Sequence, residues 1–326
     1  MSKLYPLKFQ PILKDKIWGG HKLELLLNKE ISPLPNAGES WEISGVPGNV
    51  SVVSNGFLAG NSLSEIIEIY MGDLVGDKIY QQFGNEFPLL IKFIDANDVL
   101  SIQVHPDDEL AKQRHNSFGK TEMWYVMQAD KGAQLVSGFS KELDKDEYLA
   151  KVEANEVESI MAAHDVAPGD VFFIPAGRVH AIGKGILLAE IQQTSDVTYR
   201  IYDFNRKDDQ GNTRELHTEQ AVDAIDYTYV PEPKTKYTVE PNKVNEVVKS
   251  DYFITNVLEL DQTVKKDFYG LDSFLIYMCV EGSAEIIFND NQKETIALGE
   301  TVLVPADLKE ISITPNGKAR LIEVHL

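Results

Sequence analysis

Residues 169–180 read Gly-Asp-Val-Phe-Phe-Ile-Pro-Ala-Gly-Arg-Val-His, a short β-rich run between a glycine and a Pro-Ala-Gly turn, with a histidine at its end. Val171 to Ile174 predict a buried strand. Pro175 ends it, because proline has no N–H to donate to a neighbouring strand, and Gly177 lets the chain reverse. The frame returns once: Gly299 is followed by five residues and then Pro305-Ala306-Asp307-Leu308-Lys309-Glu310, this time without a histidine. Upstream of each copy stands a Tyr-containing apolar run, a glycine turn and a second run, WYVMQADKGAQLVSGF at 124–139 and LIYMCVEGSAEIIF at 275–288. Two related β-barrels, one keeping a reactive centre and one structural, explain this repetition better than a single irregular sheet.

The rest of the chain predicts a mainly β protein with helical insertions in its first part. Strands and loops surround IWGG (17–20) and GESWEISG (38–45). In 62–84 the period changes, with Leu63, Ile66, Ile67 and Tyr70 at helical spacing and Ser62 or Ser64 as a cap. Strand character returns in FPLLIKFIDANDVLSIQVHP (87–106), with Asp98 in a turn. A short helix is expected at 107–116, a longer one across Lys141 to Ala163, and another in 214–227. The Pro- and Lys-rich stretch 230–244 separates the parts, so the division is placed at 235, giving units of 1–235 and 236–326.

Composition narrows the function. Acidic residues outnumber basic ones 51 to 31 among 326, a formal charge of -20, which repels nucleic acid and anionic membrane surfaces and makes any phosphate site a local pocket. The start MSKLYPLKFQ lacks a signal-peptide pattern and no apolar run is long enough to span a bilayer, so the expectation is a cytoplasmic protein. Cys279, the one cysteine, lies in an apolar run and reads as an inert buried thiol. No dinucleotide fingerprint, phosphate loop or nucleophile elbow is present.

Period-two alternation puts Ser101, Gln103 and His105 on one side of their strand and Leu100, Ile102 and Val104 on the other. Glu122 follows on the next strand and His180 at the turn already described. Two imidazoles, a carboxylate and the Gln103 amide oxygen make a plausible shell for Zn, Fe or Mn. The alternative is a strand-end hydrogen bond for His105, a surface carboxylate for Glu122 and a turn residue for His180. Lys92 inside an apolar run, Lys120 two residues before Glu122, and Arg200 in TYRIYDFNR (198–206) are cations in unexpected places, suited to ion pairs or to an anionic ligand. Glu190 is either a proton carrier or a surface carboxylate. The remaining histidines, His21, His115, His164, His217 and His325, read as structural or exposed.

Taken together, the Gly169 to His180 frame, LSIQVHPDD, GKTEMWYV, KIWGG, GESWEISG and QQTSDVTYRIYDFNR resemble, in order and over most of the chain, the type I mannose-6-phosphate isomerases of the cupin superfamily. The resemblance implies two cupin jelly-roll domains with helical insertions in the first, and one zinc ion per chain held by Gln103, His105, Glu122 and His180. It implies reversible conversion of mannose 6-phosphate to fructose 6-phosphate through a metal-stabilised cis-enediolate. By the same resemblance Arg200, Lys92 and Lys120 face the substrate, Arg200 and Lys120 with a part in catalysis, and Glu190 matches a carboxylate considered as the base. The alternative is a non-catalytic regulatory cupin that binds a sugar phosphate. Where longer members carry His-Lys-Pro-Glu, this chain has Gly119-Lys120-Thr121-Glu122, and it lacks their large helical insertion, so the match is to the compact branch. Ala306, Asp307 and Glu310 replace the Gly and His positions of the first copy, so no second metal site is expected. The partner implied is a small hexose 6-phosphate, and a monomer is favoured over a dimer.

Overall fold

A computed structural model describes residues 4–208 and 210–326. The first part of the chain runs β1 (Ile12–Gly20), α1 (Lys22–Leu27), β2 (Ala37–Ser44), α2 (Leu63–Tyr70), α3 (Gly72–Val75), α4 (Asp77–Phe83), β3 (Leu89–Ala96), β4 (Ile102–Val104), α5 (Asp108–His115), β5 (Glu122–Ala129), β6 (Gln134–Phe139), α6 (Lys145–Glu153), β7 (Met161–Asp165), β8 (Val171–Ile174), β9 (His180–Ala181), β10 (Ile186–Gln193), β11 (Tyr199–Tyr202) and α7 (Thr218–Ala224). Its strands form two antiparallel sheets, ordered β1-β2-β3-β10-β5-β8 and β11-β4-β9-β6-β7. The helices are insertions between strands, α2 to α4 forming the largest.

The second part is one sheet of β12 (Asn245–Lys249), β13 (Ile254–Leu260), β14 (Val264–Asp267), β15 (Leu275–Phe288), β16 (Gln292–Ala297), β17 (Thr301–Val304) and β18 (Glu310–His325). The sequence repeat has a structural counterpart here. Gly169 and Gly299 both hold a left-handed φ, 90° and 83°, and each introduces a four-residue strand, β8 pairing with β5 and β17 with β15.

Strand alternation builds the site. Leu89, Ile91 and Phe93 of β3 and Leu187, Ala189 and Ile191 of β10 join a large apolar core with residues of the second part's sheet. The intervening positions, Lys92 and Glu190 among them, face the other way, into the first part's interior. That is why a lysine interrupts LLIKF: it lies opposite the core, on a strand buried along its whole length. Helix α2 starts at Ser62, whose hydroxyl accepts from the Glu65 N–H while the Glu65 carboxylate accepts from the Ser62 N–H, and it buries Leu63, Ile66 and Ile67 in the shared core. The peptide N–H groups of Ala306 and Asp307 donate to the Leu74 and Asp73 carbonyls at 2.9 Å, so the insertion ties the two parts together.

One expectation changes. The stretch from Lys141 to Ala163 is helical only over α6, after which a 3₁₀ turn (Val157–Ile160) leads into β7. Strand pairing with β6 overrides the local helical tendency of Met161, Ala162 and Ala163, which is weaker than a row of ladder hydrogen bonds. Among the described residues no helix is long and apolar enough to cross a membrane.

Candidate active site

Sheet register places most of the candidates. On β10, Glu190 lies opposite Lys92 of β3 and Trp124 of β5, and Gln192 lies opposite Glu122. In the facing sheet Gln103 of β4 lies opposite His180 of β9 and Arg200 of β11. Residues distant in sequence therefore meet across two sheets. Gly177, at φ 86°, makes the reversal that delivers His180, and a side chain there would also press on the Ala224 carbonyl at 3.0 Å.

His105, Glu122 and His180 are all buried, and a ligand atom from each lies within 4.8 Å of the others. Nε2 of His180 is 3.4 Å from Glu122 Oε1 and Nε2 of His105 is 3.6 Å from Glu122 Oε2. The other ring nitrogens are engaged: Nδ1–H of His105 donates to the Val197 carbonyl at 3.0 Å and that of His180 to the Arg178 carbonyl at 2.8 Å. Those bonds set the tautomer and leave both Nε2 lone pairs facing inward. Burial is the main cause that keeps both rings neutral. It pulls His180 down to about 3 and His105 well below its ordinary value, with Lys120 adding to the effect.

The centre is thus three acceptors pointed at one another. Glu122 Oε1 meets no donor, and Oε2 faces only the Lys120 ammonium at 3.2 Å; burial still raises the Glu122 pKa against the pull of Lys120, so this buried carboxylate is compensated only in part. A cation among the three removes the conflict. Ligand atoms about 2.0–2.1 Å from one tetrahedral zinc are roughly 3.4 Å apart, close to the separations here. The donor set fits zinc. Gln103 adjoins it, its amide Nε2 3.3 Å from His180 Nε2; turning the amide over presents Oε1 at the same place.

A cavity of about 300 Å³ opens over this centre, lined in part by Lys16, Glu39, Trp41, Lys92, Gln103, Lys120, Glu190, Thr198, Arg200 and Arg214. Lys120 Nζ is 3.1 Å from His105 Nε2 and 3.2 Å from Glu122 Oε2. Lys92 Nζ is 2.8 Å from Glu190 Oε2 and donates to Gln192 Oε1 at 2.6 Å. Burial opposes the charge on both partners, but Glu190 raises the Lys92 pKa and Lys92, with Lys120, lowers that of Glu190. Both stay ionised at neutral pH.

Two arginines of the cavity wall, Arg200 and Arg214, and the neighbouring Arg206 differ in their partners. Asp203 takes hydrogen bonds from Arg206 and from Arg214, each at 2.5 Å. Arg200 pairs with no carboxylate among the described residues: Nη1 donates to the Glu215 carbonyl at 2.9 Å, and buried Nε has no partner. Burial, then repulsion from Arg214, lowers its pKa. An exposed-facing anion is what this guanidinium lacks.

Five of the eight candidates, Lys92, Gln103, Lys120, Glu190 and Arg200, line the cavity, and His105, Glu122 and His180 lie buried behind Gln103 and Lys120. Sequence reasoning missed Glu39 and Trp41, although GESWEISG had been marked. Trp41 Nε1–H donates to Glu39 at 2.6 Å; burial alone raises the Glu39 carboxyl, but Lys92 and Lys16 outweigh it and hold the group at about 2. The pairing of β2 with β3, which places Trp41 opposite Lys92, is what brings them to the cavity wall. Trp124 was also overlooked as a functional residue. Its Nε1–H donates to Glu190 Oε1 at 2.9 Å and its ring stands edge-on to His180 at 5.3 Å. Trp124→Phe keeps the apolar contact but leaves that carboxylate oxygen short of a donor. The expected result is roughly a tenfold fall in turnover, from the ~1.5 kcal/mol or more carried by a hydrogen bond to a charged group, with metal content unchanged by elemental analysis.

Residues 6–137 match the family described as phosphomannose isomerase type I, catalytic domain, and residues 243–326 match the mannose-6-phosphate isomerase cupin domain. The chain is 35% identical to the mannose-6-phosphate isomerase ManA of Bacillus subtilis strain 168, over 98% of this chain and 99% of that protein. It is 43% identical to a mannose-6-phosphate isomerase of Streptococcus mutans over 68% of this chain and 67% of that one. The crystal structure of the mannose 6-phosphate isomerase from Bacillus subtilis matches with a TM-score of 0.89 at 31% identity, covering 99% of this chain and 100% of that one.

Proposed function

Because this chain belongs to the type I phosphomannose isomerase family, we propose that it interconverts mannose 6-phosphate and fructose 6-phosphate in this cavity, with zinc held by His105, Glu122, His180 and the Gln103 amide oxygen. The observation that carries the reading is the buried convergence of two imidazole Nε2 atoms and a carboxylate beneath a cavity edged by lysines and an arginine without a carboxylate partner. Zinc, when bound, supplies Lewis-acid charge that offsets the negative charge of a cis-enediolate.

The chain's own residues do the rest. Glu190, kept ionised by Lys92, is in the form that accepts a proton from C2 of the open-chain sugar and returns it to C1, while the hydroxyl proton passes from O2 to O1 and the carbonyl moves from C1 to C2. Lys120, beside the centre, and Arg200, across the cavity, offset the charge that develops on the sugar oxygens and position the ligand. Lys92 holds Glu190 and adds positive potential on the same wall. These cations form the local pocket that a chain of net charge -20 needs in order to hold a phosphate ester. In this reading residues 1–235 are the catalytic unit, which supplies the cavity lining, and 236–326 a cupin without a metal site that packs against it.

Chelator-treated protein is expected to lose conversion of mannose 6-phosphate to fructose 6-phosphate in a coupled assay, and to regain it with one equivalent of zinc. Absence of turnover in zinc-replete protein that still binds the sugar phosphate would establish a regulatory binding protein instead.

A further inference from the structure

Lys120 and Glu122 sit on either side of Thr121, and Thr121 is the most heavily tied residue of that turn. Its N–H donates to Gln193 Oε1 at 2.8 Å, its carbonyl accepts from the Gln193 N–H at 3.1 Å, and its hydroxyl accepts from the Ala176 N–H at 3.2 Å. Ala176 belongs to the Pro-Ala-Gly turn that delivers His180, and the next residue, Gly177, donates to the His105 carbonyl at 2.9 Å. The other end of the Gln193 amide, Nε2–H, donates to Asp108 Oδ1 at 3.0 Å, and the same oxygen accepts from the Gly119 N–H at 2.8 Å. Gly119 lies so close to the start of α5 that a Cβ there would stand 2.5 Å from the Asp108 nitrogen.

Thr121 and Gln193 are buried, 3% and 5% exposed, yet neither reaches the cavity. The Gln193 amide thus uses its oxygen on Thr121 and one N–H on Asp108, which in turn accepts from Gly119. The amide acts as a spacer between Asp108 and Thr121, fixing the turn at both its first and third residues. Because alternate residues of an extended chain share a side, the placement of Thr121 fixes how far Lys120 and Glu122 reach toward the centre.

We propose that Gln193, clamped by Asp108, is a positioning residue that sets the Gly119–Glu122 turn and through it the metal carboxylate and the pocket lysine. The inference rests on the metal-isomerase reading above and assigns a role to residues that touch neither metal nor sugar. Residues that orient metal ligands from behind typically alter metal affinity or activity by about 10- to 100-fold when removed.

The test is a set of three variants, measured for zinc affinity by chelator competition and for kcat and KM separately. Gln193→Leu should weaken zinc binding by roughly tenfold or more and, at saturating zinc, lower kcat by about tenfold with KM changed less. Gln193→Glu keeps an acceptor for Thr121 but sets a carboxylate against Asp108, and it should be impaired as well. Adding Asp108→Asn to Gln193→Glu removes the like-charge contact but puts an amide N–H where one oxygen had accepted from both Gln193 and Gly119, so it should recover only the part of the losses that comes from charge repulsion. A lowered thermal midpoint with zinc affinity and kcat within twofold of the parent would overturn the proposal. So would a double variant no better than Gln193→Glu alone. The zinc measurement separates this outcome from failure of the isomerase reading, which would show as an inactive parent protein.

Discussion

His180→Ala is expected to abolish both tight zinc binding and turnover. The ring is wholly buried, its Nε2 is one of the three inward-facing acceptors, and its Nδ1 is already committed to the Arg178 carbonyl, so no nearby atom replaces it. Loss of Lewis-acid charge stabilisation worth about 4 kcal/mol corresponds to roughly 10³-fold in kcat/KM. Zinc per chain after gel filtration should fall below about a tenth of the parent's, given a structural contribution of that ligand well beyond the second-layer effects. Retention of stoichiometric zinc in the purified variant, at parental affinity, would remove His180 from the ligand set. Folding should survive at reduced stability, because the variant opens a buried cavity and leaves the Arg178 carbonyl without its His180 donor.

Glu190→Gln should have an effect of similar size through a different channel. A general base contributes about 10²- to 10⁴-fold, and the variant keeps the shape of the side chain, the Trp124 hydrogen bond and Lys92's second partner, Gln192. Zinc content should therefore stay near the parent's while exchange of the C2 proton with solvent falls about 10³-fold. The buried Lys92 loses its ion-pair partner at 2.8 Å, so some stability is lost too. Rates are best compared below both unfolding transitions. Unchanged exchange would assign the proton transfer to another group.

The contrast between the two variants mirrors what the chain made legible. His105, Glu122 and His180 are ligand types at strand and turn positions, and the repeated glycine frame singled out the one copy that ends in histidine. Lys92 stood out because a charge inside LLIKF violates the apolar run on one side of a strand. Glu39 and Trp41 did not stand out: in GESWEISG polar and apolar residues alternate as they do in any half-buried strand, and only the pairing of β2 with β3 brings Glu39 and Lys92 to the same wall. The departure at Gly119-Lys120-Thr121-Glu122 acquires a physical content as well. A proline at 121 has neither the N–H that Gln193 receives nor the hydroxyl that Ala176 meets.

Arg200 shows the limit most clearly. Three arginines, at 200, 206 and 214, lie within fifteen residues of one another, and by composition they are equivalent. Asp203 neutralises two of them and leaves the third facing the cavity. What the sequence determined by itself was local: strand and helix periods, turn chemistry, the kinds of ligand available and the order of motifs that carries the family. Which acceptors face one another, which cation lacks a carboxylate, and which amide spans from Asp108 to Thr121 were decided by tertiary structure. Those relations depend on register between strands as much as a hundred residues apart, where a shift of one residue would send each side chain to the opposite face.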